Sequence, residues 1–150
     1  MKSSVLIVGG GISGIAAAKL AVLLEYNVHL ADRSPEKIKS IDTVQVIHEN
    51  DIDPNTWSYA QIIVSPGVPR SNPLLEAAIE QDIPIISELN FASNHLTIPI
   101  LAVTGTNGKS STVWYTTQLA TQLGYTAFLG GNFGTPLSDL VIQQRTQNTT

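Results

Sequence analysis

The apolar residues fall in short runs separated by glycine, proline and polar turns, and their spacing alternates between strand and helix character. Val5-Leu6-Ile7-Val8 is a continuous, β-branched-rich run ending in glycines, the pattern of a strand buried on both faces. Ile12 to Leu24 follows with Ala16, Leu20, Leu23 and Leu24 at helical spacing. The runs Val28 to Ala31, Val44 to Ile47 and Ile62 to Val64 predict three more strands. Pro73 to Gln81 predicts a helix with proline near its start, where the missing N–H is harmless. Ile83 to Ile86, Ile98 to Thr104 and Ala127 to Leu129 read as further strands, and Lys109 to Leu123 as a long helix. Strands alternating with helices predict an α/β fold with a mostly parallel sheet.

Composition narrows the function classes. Hydrophobic residues make up 43% of the 150 residues, so the chain can build a core. A net charge of −4 and a pI near 5.2 argue against a nucleic-acid surface or an anionic membrane surface. The absence of cysteine excludes a disulfide framework, a zinc knuckle and a thiol nucleophile. His29, His48 and His95 are not spaced as metal ligands, and Trp57 and Trp114 sit at core-like spacing. No apolar run approaches the roughly 18 residues of a membrane span, and the first run lacks the flanks of a signal peptide. The expectation is a cytoplasmic protein without a membrane anchor.

Charge is unevenly placed. Charged residues are 13% of the chain, about half the usual share. All of them but Lys109, Asp139 and Arg145 lie between Lys2 and Glu88, and Ser110 to Ser138 carries none. This predicts a boundary: a first domain over 1–93, a linker over 94–98 and a second segment over 99–150.

Gly9-Gly10-Gly11-Ile12-Ser13-Gly14 fits G-x-G-x-x-G between a strand and a helix. Gly9 permits a tight turn, Gly11 lets a pyrophosphate approach the backbone, and Gly14 lets helix pack on sheet. The free N–H groups of the helix start then face the anion. Asp32 ends the second strand, where a carboxylate can accept hydrogen bonds from a ribose or base. Alone, this motif suggests NAD or FAD and a Rossmann-like domain.

Thr104-Gly105-Thr106-Asn107-Gly108-Lys109-Ser110-Ser111 is a second glycine loop opening a helix. Backbone N–H groups of such a loop wrap phosphates, the lysine adds charge at the β/γ end, and a hydroxyl reaches Mg²⁺. The strict P-loop pattern needs glycine where Val103 stands. Lys109 nevertheless sits at a helix start, where a cation opposes the macrodipole and a polyphosphate resolves the conflict. A dehydrogenase has no use for the second loop, and a simple ATPase has none for the first. An enzyme that binds a nucleotide-linked substrate and also consumes ATP uses both.

Ala102 to Ser111 closely resembles the ATP loop of the Mur ligases, which also lack the first Walker glycine. The G-x-G-x-S-G start, Asp32, the Ser65-Pro66-Gly67-Val68-Pro69 turn and the Gly130-Gly131-Asn132-Phe133-Gly134 turn resemble the D-glutamate-adding branch of that family. Folylpolyglutamate synthase shares the ATP loop but not the Rossmann-like front. Arg33-Ser34 departs from the familiar version of that turn, which carries arginine one place later, and Asn90 replaces an acid often found before the linker.

The resemblance implies a fold and a chemistry. The expected fold is a Rossmann-like parallel-sheet domain followed by the truncated start of a P-loop ATP-binding α/β domain. The substrates it implies are UDP-N-acetylmuramoyl-L-alanine, D-glutamate and ATP, with Mg²⁺, in a bacterial cytoplasm. ATP would phosphorylate the substrate carboxylate, and the amine of D-glutamate would attack the acyl phosphate. Gly11, Ile12 and Ser13 match positions that hold the UDP diphosphate. Asp32, Arg33, Ser65, Pro66 and Gly67 match the uridine pocket, and Asn132 the diphosphate-sugar region. Gly105, Thr106, Asn107, Gly108, Lys109, Ser110 and Ser111 match the ATP loop, with Lys109 as the catalytic cation and Ser110 or Ser111 near the metal. Such ligases have about three times this many residues by domain arithmetic, so a fragment is expected. Its second segment would dock on the first domain or self-associate. The alternatives are a UDP-sugar-binding module without activity of its own, and an NAD-dependent oxidoreductase.

Overall fold

The computed structural model describes residues 2–131 and 134–147. It contains one all-parallel sheet of five strands: β1 (Ser4–Val8), β2 (Asn27–Asp32), β3 (Val44–His48), β4 (Gln61–Val64) and β5 (Ile85–Ser87). The order is β3-β2-β1-β4-β5, with Val5 opposite Val28 on one side and opposite Gln61 on the other. The chain therefore builds outward from β1 in one direction, then returns to add β4 and β5 on the other. The reversal opens a crevice at the carboxyl ends of β1 and β4, the place where open parallel sheets bind ligands.

Helices cover both faces. α1 (Ile12–Leu23), α3 (Glu88–Ser93) and α5 (Leu137–Gln147) lie on one side; α2 (Pro73–Glu80) lies on the other. Val5, Leu6, Ile7 and Val8 are fully buried, which explains why β1 shows no polar alternation. Val5 and Ile7 meet Ala17, Leu20 and Ala21 of α1, while Leu6 and Val8 meet Leu74, Leu75 and Ala78 of α2. The alanines let α1 lie close to the sheet. Burying each larger side chain contributes roughly 1.5–3 kcal/mol. α2 starts cleanly because Asn72 Oδ1 accepts the Leu74 N–H at 2.9 Å and Pro73 occupies the first turn.

Several sequence expectations are corrected. Ile98–Thr104 and Ala127–Leu129 do not form strands. A β-branched run becomes a strand only where a neighbouring edge offers partners, and the described sheet ends at β3 and β5. The predicted second segment therefore supplies two helices, α4 (Lys109–Gln122) and α5, and no strand among the described residues. Ile83 belongs to the turn closing α2: its N–H bonds to Ala78 O at 2.9 Å while Asp82 takes φ +55°. α3 and α5 escape the periodicity reading because one is short and the other polar.

α5 docks on the sheet domain. Val141 is fully buried against the alanine face of α1. Glu88, 5% exposed, accepts hydrogen bonds from the Ser138 N–H at 2.7 Å and the Ser138 hydroxyl at 2.6 Å. The carboxylate thus sits at the start of α5, where it meets free N–H groups and the positive end of the dipole. Gln144 bonds to Thr97 near the other end of the helix. α4, by contrast, buries no residue. Trp114 is 46% exposed and packs edge-on against Tyr115, so the core position read for it does not hold. Threonine hydroxyls of α4 bond back to its own carbonyls, Thr116 to Thr112 and Thr121 to Thr117, so a helix with so little charge satisfies its polar atoms internally.

Candidate functional site

The crevice at the ends of β1, β2 and β4 forms a cleft of about 420 Å³. Its floor is the first glycine motif. Gly9 takes φ +97°, and its N–H bonds to Ala31 O at 2.8 Å, turning the chain sharply off β1. Gly14 packs so tightly under this turn that a Cβ there would stand 1.8 Å from Gly9 O. Gly11 faces open space, with nothing within 4 Å of a Cβ position. Gly9 makes the turn and Gly14 the close packing expected of them, and Gly11 leaves its side of the cleft open.

Gly11 is the N-cap of α1 and offers no side-chain acceptor, and the first turn holds no acid. Ile12 and Ser13 line the cleft beside it, and Ile12 is 70% exposed. The helix start therefore presents its free N–H groups and positive dipole end to the cleft, a setting that favours an anion.

Asp32 lines the same cleft and also holds backbone. Its Oδ2 accepts the Gly10 N–H at 2.6 Å, and its Oδ1 accepts the Ser34 N–H at 2.8 Å. The carboxylate ties the end of β2 to the glycine turn. Sequence spacing places Asp32 near a ligand but does not show that both oxygens already serve the backbone.

Ser65, 8% exposed, donates its hydroxyl to Gly9 O at 2.8 Å and pins the β4 turn to the glycine turn. Pro66 and Gly67 lie at the open wall of the cleft. Arg33 stands on the rim, 67% exposed, with Nε 3.4 Å from Glu49 Oε2. Glu49 also accepts from Asn72 Nδ2 at 2.9 Å. Glu49 and Asn72 line the cleft and were not found by sequence reading. Asn72-Pro73 carries a helix-start signature that identifies the cap but not its second bond. Glu49 has no local signal at all; only the register of β3 beside β2 brings it to the cleft. Asn132 lies outside the described residues.

The second glycine loop lies elsewhere. Gly105 and Gly108 take φ +145° and +75°, and Gly108 caps α4 without a side-chain acceptor. Lys109 Nζ is folded back onto Gly105 O and Thr106 O. Thr106, Asn107, Ser110 and Ser111 are exposed. Lys109 and Ser110 also border a separate, largely apolar cavity of about 390 Å³ between α3, α4 and α5. No described residue lines both clefts. The described residues contain no cluster of three or more metal-ligating side chains, and no helix among them is long and apolar enough to cross a membrane.

An all-parallel sheet with helices on both faces, a G-x-G-x-x-G turn on its first strand and a cleft at its point of reversal define a Rossmann-like domain. A family model described as Mur ligase MurD-like, N-terminal domain, matches residues 3–87. The chain belongs to this family, the MurD-like Mur ligases, and carries their N-terminal domain. It is 33% identical over 150 residues to a UDP-N-acetylmuramoylalanine–D-glutamate ligase of Syntrophus aciditrophicus, covering 94% of this chain and 33% of that protein. It is 32% identical over 146 residues to the protein of the same name from Geobacter metallireducens, covering 92% and 32% respectively. A crystal structure of UDP-N-acetylmuramate-alanine ligase MurC from Thermotoga maritima aligns with a TM-score of 0.49 at 23% identity, over 85% of this chain and 32% of that one. The chain spans about a third of the length of the curated relatives it matches.

Proposed function

We propose that the chain is the substrate-docking front of a cytoplasmic, bacterial, ATP-dependent ligase that adds D-glutamate to UDP-N-acetylmuramoyl-L-alanine in peptidoglycan precursor synthesis. The observation that carries this reading is the uncapped start of α1, opened to the cleft by Gly11 and held in place by the Asp32–Gly10 bond. A diphosphate satisfies the free N–H groups of Gly11, Ile12 and Ser13. The uridine then extends over Asp32 and Arg33, against the wall made by Ser65, Pro66 and Gly67.

The second loop suits the phosphates of ATP. Gly105 and Gly108 expose backbone N–H groups, α4 starts without a cap, and Lys109 is near enough to exchange its loop carbonyls for phosphate oxygens. Mg²⁺ keeps several waters and binds few protein groups beside nucleotide phosphates. The hydroxyls of Ser110 and Ser111 would hold the ion, which would supply positive charge to the phosphates. In this reading Lys109 holds the transferred phosphoryl group while a substrate carboxylate oxygen bonds to its phosphorus and ADP leaves. The acyl phosphate then has a leaving group that a bare carboxylate lacks. The D-glutamate amine attacks the carbonyl carbon, phosphate departs, and an amide is formed.

A second reading is favoured by one observation: α4 buries nothing, and no strand follows β5 among the described residues to back the ATP loop. On that reading the 150-residue chain binds the UDP compound and catalyses no reaction by itself. Calorimetric titration with UDP-N-acetylmuramoyl-L-alanine, ATP-Mg²⁺ and NAD tests both. Saturable binding of the UDP compound without NAD binding is expected. Binding of NAD alone would restore an oxidoreductase and overturn the ligase reading.

A further inference from the structure

We infer that Glu49 reads the nucleobase held in the cleft, accepting the imide N–H of a uracil ring beside the Arg33 guanidinium. This rests on the reading of the cleft as a UDP site. The acid expected to recognise the nucleoside, Asp32, gives both oxygens to backbone N–H groups. Glu49 is differently placed. Its side chain is 11% exposed, and its Oε2 is fixed by Asn72 Nδ2 at 2.9 Å and faces Arg33 Nε at 3.4 Å. Its Oε1 has no protein partner among the described residues. Asn72 is held in turn by the start of α2, through the Leu74 N–H. The carboxylate is thus oriented by a rigid element and retains a free acceptor in a ligand cleft.

Position selects the part of the ligand it meets. Glu49 follows β3, two strands from β1. Its carboxylate reaches back from there to Asn72, which follows β4, and so stands inside the cleft. A diphosphate anchored at α1 leaves the nucleoside over the end of β2, against the Ser65–Gly67 wall and beside this carboxylate. A carboxylate at the base end also avoids the charge of the phosphates.

The chemistry selects the base. Uracil presents one N–H donor, N3–H, between two carbonyl acceptors. A carboxylate beside a guanidinium presents an acceptor beside a donor: Oε1 takes N3–H and Arg33 donates to O4. Cytosine presents an unprotonated N3 and an amino group, so its lone pair would face Oε1. A hydrogen bond with a charged partner is about twice as strong as a neutral one, and leaving a desolvated acceptor unpaired is costly. Such a site discriminates by chemistry rather than by size.

The test is calorimetric titration of the chain with UDP, CDP and N3-methyl-UDP, repeated on Glu49→Gln with UDP and CDP. The unaltered chain is expected to prefer UDP to both analogues by about tenfold or more. In Glu49→Gln the amide can donate to the cytosine N3, and the UDP-to-CDP ratio is expected to fall to within about twofold. An unchanged ratio in Glu49→Gln would overturn the assignment while leaving the UDP site intact. Should that variant not fold, N3-methyl-UDP decides on the unaltered chain, because binding equal to that of UDP also overturns it. Binding of none of the three would remove the UDP reading and this inference with it.

Discussion

Asp32 and Gly10, 22 residues apart in the chain, are joined by a hydrogen bond of 2.6 Å from the Gly10 N–H to the carboxylate. The second carboxylate oxygen holds the Ser34 N–H. The residue that sequence spacing marks as a ligand contact is therefore also the brace of the glycine turn. Asp32→Ala leaves two backbone donors without these acceptors and is expected to lower stability by about 1–3 kcal/mol. It should weaken UDP binding and leave ATP affinity unchanged. Urea denaturation with parallel titrations checks both effects, and equal loss of the two affinities would indicate misfolding.

Gly14→Ala and Gly11→Ala should separate packing from binding. A methyl at Gly14 meets Gly9 O at 1.8 Å, whereas one at Gly11 meets nothing within 4 Å. Gly14→Ala is expected to lose about 3 kcal/mol, the upper end for overpacking. Gly11→Ala should keep the melting temperature but weaken diphosphate binding by about tenfold, about 1.4 kcal/mol. Thermal melts with and without UDP distinguish the two.

Lys109→Ala removes a side chain whose hydrogen-bond partners among the described residues are carbonyls of its own loop. Stability should stay within about 0.5 kcal/mol, as for other surface changes. UDP binding should be unaffected, while ATP-Mg²⁺ binding is lost. In a full-length ligase carrying these residues, ligation should disappear; turnover within tenfold of the parent would refute the phosphate role of Lys109.

Acid should destabilise the chain through two histidines. Burial holds the pKa of His29 below its ordinary 6.5, and burial followed by repulsion from Arg145 does the same at His95. The unfolded chain therefore binds protons that the folded chain resists. Their contribution is present above pH 6.5 and is lost as pH falls through the lower folded-state values. Chemical denaturation midpoints should drop on acidification below 6.5. His29→Gln should flatten part of that slope, although Tyr59 bonds to its Nδ1 at 2.6 Å and a baseline loss is expected.

Ser138→Ala removes one of the two bonds that Glu88 receives, at a buried carboxylate. A loss of about 1.5–3 kcal/mol is expected. Hydrogen exchange should show faster exchange in α5 than in β1, because the helix can detach without opening the sheet.

The central strands were legible because parallel, doubly covered strands are apolar runs, and β1 is the clearest case; the edge strands β3 and β5, which bury no residue fully, show only short β-branched runs. The glycine motif was legible because each of its glycines answers a separate steric demand. The strands read at 98–104 and 127–129 show the limit of that signal, since strand character belongs to a pair of edges rather than to one segment. α5 was illegible for the opposite reason. Its sequence is polar, and its place is set by Val141 and by Ser138 meeting a buried carboxylate 50 residues earlier. Glu49 was missed similarly, because its position follows from strand register and from an asparagine that first reads only as a helix cap.

The link from Glu88 to Ser138 also changes what the intervening stretch can tolerate. Both ends of α5 are gripped by residues before Ile98, so α4 hangs as a span between two fixed posts. The entropy of closing such a span rises only slowly with its length. Gly124, exposed and with φ +87°, lies in the middle of it. A protease that cuts there would separate the polypeptide into two pieces that share one core. Under native conditions they should elute together, with the C-terminal piece acting as a clasp on the sheet for as long as α5 stays docked.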